Sequence, residues 1–368
     1  MGYFVNYCAG VHAGILPSRN MEAILINVPR DAGTVANIRK SLKMLVAART
    51  KHSMLDSGGY QRLTNELKGG VSSSDPSRPL LCRGREMNLA PIHVIQTAVK
   101  VQPGIVTALD APVLKVPSPE KQRREFDAKL PLNLRWMRET ARLRSKYCPN
   151  IQLFIPIQCY DLHQFGLIEP TLSELHYNGL SLPTRNLDAA GISLFLLKFY
   201  QMGVRKVHLL SVSNFTGIAL ATYFARYIFD WCSVDATTWR IDSQHHNYLH
   251  PQDLSKISVR QDAVFYDGQD LPCGCPWCSR TSFTQIKHLP GCEKTAFLRH
   301  HNYYAIQQLG RELYARSANF DSYIQHLMER NQRQARKVRK LIEALTIVHH
   351  RRDDPIETLR QVLGGGRL

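Results

Sequence analysis

Four side chains able to do chemistry stand just past short apolar runs. Asp56 ends "SMLD" and is followed by Ser57, Gly58 and Gly59; Asp110 ends "GIVTALD", Gln158 ends "IQLFIPIQ" and Asp235 ends "WCSVD". A carboxylate placed there is either the cap of a following helix or a reactive group facing a pocket, as proton carrier or nucleophile. Two glycines after an acid permit positive φ or the close approach of another group to the backbone. A second constellation is "CGCPWC", which sets Cys273, Cys275 and Cys278 at C-x-C-x-x-C spacing. Three thiolates this close can hold one Zn²⁺, and tetrahedral closure needs a fourth ligand from His288, Cys292, His300 or His301. A site so rich in sulfur is structural, because it leaves no open position. A zinc deaminase would carry a His-x-Glu beside its cysteines, and none stands here.

Something must bring these residues together. Apolar runs at "AILINVPR", "SMLDSGG", "GIVTALDAP", "IQLFIPIQCYD", "DAAGISLFLL", "KVHLLSVSN" and "WCSVDATTW" read as strands. Between them "PIHVIQTAVKV", "PLNLRWMRETARLRSKY" and "NFTGIALATYFARYIF" read as helices. Strand–helix alternation means a parallel sheet with crossover helices. Seven or eight such units suit a (β/α)8 TIM barrel, whose active sites lie at the C-terminal strand ends. A doubly wound sheet is the competitor, but no Gly-rich dinucleotide fingerprint follows the first strand. The expected division is a catalytic barrel over 1–265, a zinc-binding subdomain over 266–310 and basic helices over 311–368. Residues 66–88, rich in Gly, Ser and Pro, read as a loop insertion in the barrel.

The chain has 368 residues, 44% of them hydrophobic, and a formal charge of +17. That excess favours a polyanionic partner, above all nucleic acid. Arg330, Arg333, Arg336, Lys337, Arg339 and Lys340 crowd one C-terminal helix whose apolar face is Val338, Leu341, Ile342 and Leu345. Such an edge suits either phosphate contact or plain solvation. Nine cysteines, odd in number and mostly isolated, are not a disulfide framework and indicate a reducing compartment, hence a cytoplasmic protein. No apolar run is long enough to span a bilayer, and the N-terminus does not read as a signal peptide.

In order and spacing, "LDSGGYQ", "APIHVIQTAVKVQPGIVTALDAP", "IPIQ" and "CGCPWC" followed by "HHN" resemble the tRNA-guanine transglycosylase family, from about residue 50 to about residue 310. The resemblance implies a TIM barrel with a structural zinc subdomain. It implies that Asp235 is the nucleophile, that Asp56 is the general acid and base, and that Asp110 and Gln158 bind the base. Gly191 would lie near a glycine-rich base contact, although the full glycine pattern is missing; Ser57 and Tyr60 complete the expected base pocket, with Tyr60 stacking on the ring. The zinc ligands would be Cys273, Cys275, Cys278 and His301, the histidine before Asn302. Weak backbone contacts are expected from Arg240, Arg333, Arg336, Lys337 and Lys340.

One departure bears on the substrate. In the tRNA enzymes of this family a proline- and arginine-containing stretch follows the nucleophile, whereas here it is "DATTWRIDSQHHNY". The chain therefore looks more like the DNA-modifying branch, which exchanges guanine in DNA for a 7-deazaguanine such as 7-cyano-7-deazaguanine. Exchange in tRNA is the alternative within the class. A non-catalytic nucleic-acid-binding subunit is the alternative outside it, and the presence of all the acids argues against that. A second copy of the chain or helper modification proteins are the further candidate partners.

Overall fold

Strands buried on both faces must be apolar nearly throughout, and only a parallel sheet wrapped in helices buries them so. In the computed structural model, residues 6–10, 23–28, 34–48, 51–61, 63, 80–82, 85–87, 89–114, 118–185, 187–260, 271–330, 335–350 and 356–357 are described. The strands are β1 (Asn6–Gly10), β2 (Ala23–Asn27), β3 (His52–Asp56), β6 (Ile105–Thr107), β7 (Gln152–Pro156), β8 (Gly179–Pro183), β9 (Lys206–Leu210) and β10 (Trp231–Ala236). They close in the order β1-β10-β9-β8-β7-β6-β3-β2. Every paired neighbour is parallel, so the fold is the expected eight-stranded α/β barrel. A small hairpin of β4 (Leu80–Cys82) and β5 (Arg85–Met87) interrupts it. That hairpin falls within the expected 66–88 insertion, the rest of which lies outside the described residues.

Side chains alternate between barrel interior and helix layer. Ile24, Ile26, Leu55, Val106, Leu153 and Ile155 join the large core beneath the helices. Ala23, Leu25, Met54, Ile105, Phe154 and Trp231 form a separate cluster, with Phe154 edge-on to Trp231 at 5.3 Å. The residues that share its parity further along the strands are Asn27, Asp56, Thr107, His208, Ser233 and Asp235. The inner face is thus apolar at the N-terminal end and polar towards the C-terminal end, where a barrel does its chemistry.

One run changes identity. Residues 189–201 form a helix capped by Asp188, not a strand; the strand of that unit is the shorter "GLSLP" before it. The helix is buried nearly all round because the C-terminal helix Ala335–His350 lies over it. An apolar helix of this kind cannot be told from a buried strand by periodicity. Val338, Leu341 and Leu345 are buried in the barrel's own core, each burial contributing roughly 1.5–3 kcal/mol.

Packing joins residues on either side of the expected boundaries. Helix Gly291–Arg316 runs unbroken through residue 310. Its Leu298 packs with the cysteine cluster, while Ile306, Leu309 and Leu313 pack into the barrel core. The cysteine cluster also takes in Tyr248, Ile257 and Val259 of the β11 (Asn247–Leu249) and β12 (Lys256–Ser258) hairpin, upstream of the expected boundary. The boundary at 265/266 itself lies outside the described residues.

Candidate active site and metal centre

Three of the four strand-end residues meet. Asp110 is buried just past β6, where Gln158 Nε2 donates to its Oδ2 at 2.5 Å and Ser57 Oγ donates to its Oδ1 at 3.1 Å. Val113 N donates to Gln158 Oε1 at 3.2 Å, which turns the Gln158 amide nitrogen towards the acid. The loop carrying Asp110 is pinned from the helix Pro119–Tyr147: Ala111 N donates to Asn133 Oδ1 at 2.7 Å, and Lys129 Nζ donates to the Pro112 carbonyl at 2.8 Å. Asp56, at the end of β3, accepts a 2.6 Å hydrogen bond at Oδ2 from Asn27 Nδ2, its register partner on β2. Burial first, and then the negative charge of Asp56, push the Asp110 carboxyl from 3.8 up to about 7; the hydrogen bonds from Gln158 and Ser57 partly offset this. At neutral pH Asp110 is therefore a carboxyl that can both hold and give a proton.

The paired glycines are explained by this acid. A Cβ on Gly59 would lie 2.3 Å from Asp110 Oδ1 and 2.6 Å from its carbonyl oxygen, so only glycine lets the loop close on the acid. Gly58 has φ of +92°, the left-handed region that favours glycine. Ser57 N donates to Thr107 Oγ1 at 2.9 Å, which ties the end of β3 to β6.

Asp235 sits on β10. Ser211 N donates to its Oδ1 at 2.8 Å, and His208 Nε2 lies 3.4 Å from the same oxygen. Ser211 has φ of +66°, an uncommon conformation for a side-chain-bearing residue, and it aims the amide at the carboxylate. Oδ2 has no hydrogen-bond partner among the described residues. Asp235 thus presents one fixed oxygen and one free one.

Other expected residues lie elsewhere in this arrangement. Gly191 is in the first turn of helix Ala189–Gln201, and its amide donates to the cap Asp188 at 2.9 Å. That amide is spent on the cap and makes no contact with Asp110 or Gln158 among the described residues. Tyr60 is 48% exposed, and the Arg185 guanidinium, from the end of β8, lies 4.6 Å over its ring. Arg240 is half-buried with its Nε enclosed, which ill suits a phosphate contact. Arg336, Lys337, Arg339 and Lys340 are exposed, and Arg330 is engaged with Glu312 at 2.6 Å. Arg333 lies outside the described residues. The sequence did not single out Asn27, Thr107 or Arg185, and it gave His208 no role beyond a structural one. The signal for His208 was an imidazole on the inward parity of an apolar strand.

The cysteine cluster closes with His301. Cys273, Cys275, Cys278 and His301 are all buried, with one ligand atom from each lying within 4.8 Å of the others. His301 Nδ1 is 3.2 Å from Cys278 Sγ and 3.8 Å from Cys275 Sγ, and its Nε2 is 2.9 Å from the Leu249 carbonyl. An Nε2–H donated to Leu249 leaves the Nδ1 lone pair facing the sulfurs, the tautomer a metal needs. Hydrogen bonds from the other two thiols hold Cys275 on the thiolate side of its usual range. Three sulfurs and one imidazole in this arrangement fit a tetrahedral Zn²⁺. Tyr248 stacks on the His301 ring at 3.7 Å. Asn302 accepts from Leu249 N and donates to the Asn247 carbonyl, both at 2.9 Å, strapping hairpin to helix.

No family model matches the chain. The chain is similar to the tRNA-guanine(15) transglycosylase of Thermococcus onnurineus (strain NA1), at 20% identity over 250 residues. The match covers 65% of this chain and 39% of that protein, so the chain spans well under two thirds of the relative's length. No helix among the described residues is long and apolar enough to cross a membrane.

Proposed function

We propose that this protein is a base-exchange transglycosylase that removes guanine from DNA and installs a 7-deazaguanine, such as 7-cyano-7-deazaguanine, through a covalent Asp235–sugar intermediate. The observation that carries this reading is the pairing of a half-fixed carboxylate, Asp235, with a proton-holding acid, Asp110, on one barrel face. The similarity to a tRNA-guanine transglycosylase supports the class of reaction.

The residues divide the labour. The free Oδ2 of Asp235 attacks C1′ as the C1′–N9 bond breaks, and that bond's electron pair leaves with guanine. The transition state is oxocarbenium-like and is stabilised by the carboxylate's negative charge. The departing base needs a proton, which the Asp56–Asp110 pair supplies; with the proton stored on Asp110, Asp56 contributes its charge and relays the transfer. The incoming base returns a proton to the pair, its ring nitrogen attacks C1′, and Asp235 leaves as carboxylate. Two displacements retain the configuration. Gln158 and Asp110 read the base edge, and Tyr60 offers a ring to stack on. The target nucleotide must first leave the helix stack, at a cost of a few kcal/mol. The positive surface offsets that cost by binding phosphates. Zinc held by Cys273, Cys275, Cys278 and His301 would cross-link the subdomain and take no part in the chemistry.

DNA is favoured because the segment after Asp235 is committed to packing. It folds as helix Thr238–Gln244, and its Trp239 is buried edge-on against Tyr303 at 5.8 Å. Little of it is left extended to read an anticodon loop. tRNA is the second reading, favoured by the name of the similar protein. The test offers labelled guanine to duplex DNA and unmodified tRNA side by side, with 7-cyano-7-deazaguanine as competitor. Incorporation into DNA that Asp235→Ala abolishes, with nucleic-acid binding retained, is the expected result. Incorporation into tRNA alone would move the substrate and keep the mechanism, and exchange surviving in Asp235→Ala would remove the nucleophile assignment.

A further inference from the structure

His208 is fully buried inside the barrel, yet its Nε2 has no hydrogen-bond partner among the described residues. That nitrogen lies 3.4 Å from Asp235 Oδ1, while Nδ1 is 2.7 Å from Ser233 Oγ. The three residues lie on adjacent strands, with His208 in register with Ser233 and, on its other side, with buried Ser181. A polar column inside an apolar barrel is costly unless its groups are paired. We propose that His208 is a positioning residue that donates Nε2–H to Asp235 Oδ1 and controls how long the covalent intermediate lasts; the inference rests on the transglycosylase reading above.

The tautomer follows from the two neighbours. An Nδ1–H donated to Ser233 would turn the Nε2 lone pair onto an anionic carboxylate, which is repulsive. With Ser233 O–H donating to Nδ1, the ring proton sits on Nε2 and faces Asp235. The separation is longer than a hydrogen bond here, and such contacts tighten when substrate closes the site. Together with Ser211 N it fixes Oδ1 and leaves Oδ2 as the attacking atom.

The consequence for turnover is asymmetric. In the free enzyme Oδ1 carries carboxylate charge; in the glycosyl ester it is a neutral carbonyl oxygen. Hydrogen bonds to a charged acceptor are roughly twice as strong as those to a neutral one. His208 therefore favours the freed carboxylate over the ester. It speeds the second displacement, in which the ester C1′–O bond breaks, its electron pair returns to Oδ2, and the incoming base nitrogen bonds to C1′.

The test compares the wild-type protein with His208→Leu, His208→Gln and Ser233→Ala. Each is incubated with guanine-containing DNA and tRNA, then run on a denaturing gel to measure the trapped adduct with and without acceptor base. His208→Leu raises the trapped fraction roughly fivefold and slows turnover, His208→Gln recovers most of the wild-type partition because its amide keeps an N–H, and Ser233→Ala falls between. A folded His208→Leu with the wild-type adduct fraction and turnover overturns the proposal. The ¹⁵N-histidine tautomer in the wild-type protein, with His208 assigned by its loss in His208→Gln, is read without any activity. Nε2–H supports the proposal, and Nδ1–H overturns it even should Leu fail to fold. Absence of exchange and adduct in the wild-type protein would instead sink the transglycosylase reading, and the tautomer would still decide what His208 does.

Discussion

Asp110 is a carboxyl whose surroundings change its behaviour near neutral pH. Its carboxyl moves from 3.8 to about 7, with burial the larger cause and the charge of Asp56 the smaller. The native state therefore holds a proton between these values that the unfolded chain has released. Stability is fullest below about 4 and falls as pH rises through about 7, a loss on the order of 4 kcal/mol from this one group. Asp110→Asn keeps the shape and cannot ionise. Its melting temperature should exceed that of the wild type at pH 8, and the slope of stability between pH 4 and 7 should flatten. Exchange should fall at least about a hundredfold, as for loss of an acid–base group. Melting curves across that range, beside exchange rates, check both halves; an unchanged slope would mean Asp110 is ionised throughout. That Asp56, Asp110 and Gln158 would come together was legible in the sequence because each closes an apolar run, at the C-terminal end of a strand. Asn27, Thr107 and His208 were not, because a polar residue inside a strand looks the same whether it faces solvent, a helix or a substrate. Gly191 is the reverse case: its neighbours "AAGIS" fit a glycine-rich contact only in part, and in the structure its amide caps a helix.

Among the elements, strand order and helix positions were readable wherever periodicity and length agreed, as in helix Pro91–Val101. They were not readable in residues 189–201, where a helix covered on both sides loses its polar face. The joint between Asp235 and the metal cluster belongs to this scale. Helix Thr238–Gln244 follows β10 directly and packs on Gly291–Arg316, the helix that carries His301. Asn302 fastens the intervening hairpin to that same helix. If the cluster holds a metal, its loss should therefore loosen the segment next to Asp235 as well as the cysteine loop. Cys275→Ser should lose tightly held zinc and lower the melting temperature by several degrees or more, since metal-binding energy is folding energy in such sites. Adduct formation at Asp235 should fall with it. Zinc content by elemental analysis and a thermal melt measure this directly; a variant with full zinc and the parent melting temperature would exclude Cys275 as a ligand.

Over the whole molecule, the +17 charge was plain from composition, but its placement depends on tertiary structure. Helix Ala335–His350 buries Val338, Leu341 and Leu345 against the barrel and turns Arg336, Lys337, Arg339 and Lys340 to solvent. None of these four is in an ion pair among the described residues, whereas Arg330 on the preceding helix is neutralised by Glu312. Four such cations on one rigid helix are a suitable edge for a phosphate backbone. Each phosphate they engage releases a counterion and adds about 0.9 to the slope of log affinity against log salt on duplex DNA, or about 0.7 on a single strand. Replacing all four by Gln keeps helix propensity and leaves the buried face alone. Thermal stability should stay within about 1 kcal/mol of the parent, as for surface changes. Nucleic-acid affinity should drop, the salt slope should shrink by roughly one unit for each phosphate no longer engaged, and exchange at saturating nucleic acid should keep its rate. An unchanged slope would make this edge a solvated face and send the search for the backbone-binding surface to the barrel mouth, where Arg185 already leans over Tyr60.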